Sequence, residues 1–146
     1  MSVESNKALV RRWFEEIVNG RTDPTVFQSA LDETIAPNFV DWDGPDPTNG
    51  REAMRRAVPM LLKALPDAFF TVEQLIGEGD LVAVRVRGQA THTGEVMGIA
   101  PTGKHITWAE NEIYRLADGR IVESWGEGSL EEALAEIGFA FKGSQT

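Results

Sequence analysis

The chain has 146 residues, 42% hydrophobic and 25% charged, which suits one soluble domain with a core and an internal cavity. It contains no cysteine, so disulfides, thiolate metal sites and cysteine nucleophiles are excluded. A formal net charge of -9 with no basic cluster argues against nucleic acid or an anionic membrane as partner.

Residues 5–19 read as a helix: Leu9, Trp13, Phe14 and Ile17 form an apolar stripe, and Asn19-Gly20 supplies a stop. Asp23 as N-cap and Pro24 at the first helical position start a second helix. Its buried face is Val26, Phe27, Ala30, Leu31 and Ile35, and it should end near Ala36, before Pro37. Residues 39–43 suit a short strand leading into the turn-rich loop 44–50. A third helix carries Met54, Val58, Leu61, Leu62 and Leu65, with Pro59 expected to kink or interrupt it.

The second half changes period. Residues 69–77, 81–92, 104–116 and 120–125 are rich in β-branched and aromatic residues, with hairpin turns at 77–80 and 117–119. Residues 130–137 suit a short terminal helix, and 142–146 should fray. Helices followed by an antiparallel meander predict one α+β domain over residues 1–146, with the helices on one face of the sheet. No apolar run reaches the ~20 residues of a membrane span, and the start lacks a signal-peptide core. A cytoplasmic protein is expected.

Strand alternation places Ile106, Trp108, Glu110, Glu112, Tyr114 and Leu116 on one side of the 104–116 segment. If that side is concave, two carboxylates lie in a partly apolar wall. Desolvation and like charge would then raise their pKa, as a general acid or base requires. The other reading is that this side meets water and the carboxylates are merely solvated.

Asp41-Trp42-Asp43 is the second candidate, at the mouth of a pocket, although Asp43 also suits a turn cap. His92, at the end of a strand, is an acid–base candidate by residue type, but His92 and His105 lack HxH or HExxH spacing, so no metal site is expected. Pro101-Thr102-Gly103 is a turn rather than a phosphate cradle, and no GxSxG frames a serine.

The stretch from Thr91-His92-Thr93-Gly94 through Gly98-Ile99-Ala100-Pro101-Thr102-Gly103-Lys104, together with Asp118-Gly119-Arg120-Ile121-Val122-Glu123-Ser124-Trp125, resembles the SnoaL-like polyketide cyclases, also called SnoaL-like ester cyclases. The resemblance covers nearly the whole chain. It implies a nuclear-transport-factor-like (cystatin-like) fold: a cone-shaped, curved antiparallel sheet packed on N-terminal helices around a deep pocket, usually as a homodimer or higher oligomer. It also implies ring closure by intramolecular aldol condensation, with an aspartate as acid and base and no cofactor.

The chain departs from that family's pattern at several places. Gly126 follows Trp125 where an acid is common, Ser129 stands at another acid position, Glu112 replaces a pocket histidine, and Asp41-Trp42 replaces an Asn/His pair. Two readings follow. One is an enzyme of cyclase or isomerase type on a small hydrophobic carbonyl compound, with Glu112 as base and Asp41 and His92 assisting. Its pocket would be lined by Trp13, Phe14, Trp42, Trp108, Glu110, Tyr114 and Trp125. A ketosteroid-isomerase-like enzyme is a variant of it. The other reading is a binding protein that keeps the pocket without catalysis.

Overall fold

The computed structural model describes residues 2–19 and 23–139. Helix α1 (Val3–Arg12) opens on a capping box: the Ser2 hydroxyl accepts the Ser5 N–H while the Ser5 hydroxyl accepts the Ser2 N–H. At Trp13 the helix widens into a π-helical segment, Trp13–Val18. The wider turn lets Trp13, Phe14 and Val18 all face inward, which a regular α-helical stripe does not foresee. Asn19 then stops the helix by pairing like a strand residue, its amide exchanging two hydrogen bonds with the Phe70 backbone. Gly20, expected to share in that stop, and residues 142–146, expected to fray, lie outside the described residues.

Helix α2 (Pro24–Thr34) is capped by Asp23, whose carboxylate accepts the Thr25 N–H at 2.7 Å. It ends two residues earlier than expected, because Ile35 is already extended and strand β1 (Ile35–Asp41) follows without a loop. Pro37 biases Ala36 toward extended backbone. The missing N–H at Pro37 is tolerated because β1 lies at the sheet edge. A 3₁₀ turn, Pro47–Asn49, leads into helix α3 (Gly50–Ala64), which continues through Pro59 rather than breaking there. Arg55 ties α3 to α2 by donating to Gln28 and Asp32.

Strands β2 (Phe69–Glu78), β3 (Leu81–Thr91), β4 (His105–Ala117) and β5 (Arg120–Gly128) form the expected antiparallel meander. Asp118 (φ 51°) and Gly119 (φ 79°) make the tight β4–β5 turn, the left-handed pair that such a hairpin needs. Local patterning did not foresee that β1 pairs in parallel with β5, giving the order β1-β5-β4-β3-β2. That pairing sets Asp41 beside Ser124. A short helix α4 (Leu130–Ala135) then folds back over β4 and buries Ala133 and Leu134, and the turn after it buries Ile137.

The space between helices and sheet is filled by an aromatic chain. Trp13 meets Phe27, Phe14 meets both Phe70 and Tyr114, and Phe70 meets Trp108 edge-on at 5.6 Å. Burial of these rings and of Val82, Val84, Val86, Ile106, Leu116 and Ile121 is the main stabilisation of the fold. Among the described residues, no helix is long and apolar enough to cross a membrane.

Candidate functional site

Strand alternation holds as expected: Ile106, Trp108, Tyr114 and Leu116 are buried on the core-facing side of β4, with Glu110 and Glu112 half-buried between them. Across the strand pair, Glu110 sits opposite Gly128 and Glu112 opposite Gly126. A Cβ added at either glycine would lie 1.8 Å from the facing carboxylate. Both glutamates therefore lie over bare backbone on β5, and a side chain at 126 would contest the space of the Glu112 carboxyl. Asp41 reaches the same region from β1.

Together Asp41, Asp43, Glu110, Glu112, Glu127 and Glu131 border a cleft of about 460 Å³, and among the described residues no lysine or arginine lines it. Three of these carboxylates have structural partners. Asp41 accepts the Ser124 hydroxyl at 3.2 Å, Asp43 accepts the Gly126 N–H at 2.8 Å, and Glu110 accepts the Leu130 N–H at 3.1 Å at the start of α4.

Glu112 differs from them. Burial first, then the negative charges of Glu110, Asp41 and Asp43, push its pKa up to about 8, with no hydrogen bond from a described residue to counter them. Burial also raises Asp41, offset in part by the Ser124 hydroxyl and the turn amides. Glu110 is raised by burial and lowered by the Leu130 N–H. Tyr114, buried behind Glu112, is raised well above the ordinary phenol value, by desolvation first and Glu112 next. With its pKa near 8, Glu112 is largely protonated at neutral pH.

The structure brings Asp41, Glu110, Glu112 and Tyr114 together and separates the other expected site residues from them. His92 lies beyond the far end of β3, about 25 Å from Glu112 at ~3.3 Å per strand residue. It is fully buried, its Nδ1 accepting the Thr102 N–H at 3.2 Å and lying 3.0 Å from the Thr102 hydroxyl. Trp13, Phe14 and Trp108 pack into the core instead of lining the cleft, and the Trp108 indole lies over Gly88. Trp42 is 52% exposed and donates to Glu123. Trp125 faces the outer side of the sheet, stacked under the Arg115 guanidinium.

The sequence reading missed Ser124, Gly126 and Gly128 as parts of the site. Only Gly126 carried a signal, as a departure from the family pattern. No group of three or more His, Cys, Asp or Glu with metal-binding geometry occurs among the described residues.

The SnoaL-like polyketide cyclase family model matches residues 8–136. No protein of curated function matches the sequence at a significant level. Among solved structures, the chain is similar to AclR of Streptomyces galilaeus, described as "a putative hydroxylase" (29% identity, TM-score 0.74, covering 97% of this chain and 87% of that one). It is also similar to IdmH of Streptomyces antibioticus, described as "a putative polyketide cyclase" (29% identity, TM-score 0.69, 92% and 99%). TsrD of Streptomyces laurentii, at 23% identity and TM-score 0.74, covering 94% and 96%, shares the fold. The nuclear-transport-factor-like α+β fold expected from the motifs is therefore the observed one, and the chain belongs to the SnoaL-like polyketide cyclase family.

Proposed function

We propose that the chain is a cofactor-independent proton-transfer enzyme of aldol-cyclase type, acting on a hydrophobic carbonyl compound at the Glu112 cleft. The observation that carries this reading is the environment of Glu112, a half-buried carboxyl with like charges around it and an opening beside it. A carboxyl that stays protonated at neutral pH donates a hydrogen bond to a carbonyl oxygen and stabilises the enolate or alkoxide that forms there.

Asp41 supplies the complementary role. Its carboxylate is oriented by Ser124 and is more basic than a surface aspartate. It takes the proton from the carbon next to one carbonyl. The enolate carbon attacks a second carbonyl of the same molecule, and Glu112 protonates the resulting alkoxide. Proton return from Asp41 to Glu112 resets the pair.

A second reading, a binding protein without turnover, is favoured by one feature: Asp41 and Glu110 both serve structural hydrogen bonds. The pH profile separates the two. As an enzyme, the chain loses kcat/KM above about pH 8 as Glu112 loses its proton, and Glu112→Gln removes that limb. A ¹³C-carboxyl titration of Glu112 near the ordinary value of about 4.3, or turnover unchanged by both Glu112→Gln and Asp41→Asn, sinks the proposal.

We also propose self-association through the outer sheet face, where Ile76 and Ile113 are 66% and 45% exposed. Sedimentation of wild type and Ile113→Lys tests it; a monomer at all concentrations refutes it.

A further inference from the structure

A second cavity, an apolar groove of about 540 Å³, shares Leu130 with the carboxylate cleft as a lining residue. Helix α3 contributes Met60 and Leu61, the 96–99 turn contributes Met97 and Ile99, and α4 contributes Leu130 and Leu134. Its volume is in the range of small-molecule sites. Leu130 lines both spaces, so the groove and the cleft meet at the first residue of α4, the residue whose N–H Glu110 holds.

Met97 adds an independent sign. It sits at the tip of a tight turn closed by Val96 and Ile99, at φ 53°, a left-handed conformation that a residue with a Cβ adopts at a cost. Its side chain is 73% exposed at the rim of the groove. An unbranched, polarisable thioether at that place adapts to a ligand of varied outline.

We infer that this groove binds the apolar body of a small molecule whose hydrogen-bond-accepting end crosses Leu130 into the carboxylate cleft, and that the site selects uncharged compounds over their carboxylic acids. This rests on the proposed function for the identity of the reacting end only. The selectivity follows from charge. Asp41, Asp43, Glu127 and Glu131 repel an anion at the cleft, whereas the Glu112 proton favours a neutral acceptor such as a ketone.

Two fluorescent probes of like ring size test this: 2-acetylanthracene, a neutral ketone, and anthracene-2-carboxylate. The ketone binds at least tenfold more tightly at pH 7. Met97→Glu and Met60→Glu, both at exposed positions, each weaken it at least tenfold without a shift in the melting temperature. Glu127→Gln with Glu131→Gln narrows the gap between the probes severalfold.

Equal binding of both probes, or ketone binding untouched by both methionine variants, overturns the inference. So does a dimer that Met97→Glu dissociates in a protein that binds neither probe. Glu112→Gln separates the two proposals. Turnover lost in that variant with no probe binding in wild type leaves the chemistry standing and removes the groove. Probe binding sensitive to Met97→Glu, with turnover indifferent to Glu112→Gln and Asp41→Asn, does the reverse.

Discussion

Two ionisable residues, His92 just beyond the end of β3 and Glu112 on β4, are withdrawn from solvent in different ways. His92 is wholly enclosed, with Thr102 on one ring nitrogen and Phe139 edge-on against the ring. Glu112 is only partly enclosed, among three other carboxylates, at the edge of a cleft. Thr102 meets His92 at Nδ1 and ties down the 92–104 excursion, while the buried Nε2 has no hydrogen-bond partner among the described residues. Burial among like charges, with access left open, costs stability and leaves a proton available for transfer.

The sharpest way to break this contrast is to truncate both residues. Glu112→Ala should lower kcat/KM on any converted substrate by about 10²–10⁴-fold, the usual range for a general acid, with the fold retained by circular dichroism. His92→Ala should lower stability by about 2–4 kcal/mol in a urea titration, from lost packing and an orphaned Thr102, yet leave kcat of the folded fraction unchanged. A matching loss of kcat would erase the distinction.

Glu112→Gln sharpens the comparison through stability. In the fold the Glu112 pKa lies near 8, above the unfolded value of about 4.3. Below both values the carboxyl is neutral in both states and costs nothing extra. As pH rises between them the unfolded chain ionises first, so stability falls until the folded group also ionises. Gln removes this penalty, and the variant should gain on the order of 1–3 kcal/mol at pH 8 and nothing at pH 4. Equal melting temperatures at pH 8 would show Glu112 to be well solvated.

The smallest expected effect belongs to Gly126→Ala. The added methyl meets the Glu112 carboxyl and should push it toward solvent. Its titration would then move down toward the ordinary value, and kcat should fall by about tenfold, roughly 1.4 kcal/mol. An unchanged ¹³C titration would mean that the carboxyl does not rest on this glycine.

Period and punctuation in the chain were enough to foresee the α+β class, the four-strand meander, the Asp23-Pro24 helix start and the Asp118-Gly119 turn, because each depends on residues near one another in sequence. The alternation of β4 also places Glu110 and Glu112 beside Trp108 and Tyr114, and the motifs point to the family whose model matches residues 8–136. Other features depended on contacts between distant segments. These include the parallel pairing of β1 with β5, which brings Asp41 to Ser124, and the register that lays Glu112 over Gly126 and Glu110 over Gly128. The same holds for the aromatic chain that draws Trp13, Phe14 and Trp108 into the core, and for the fold-back of α4 that sets Leu130 in the lining of both the cleft and the groove. Side-chain chemistry is local, but a pKa depends on what surrounds the group. The sequence therefore named Glu112, while only the assembled fold, by burying it and then by setting Glu110, Asp41 and Asp43 around it, raised its pKa to about 8.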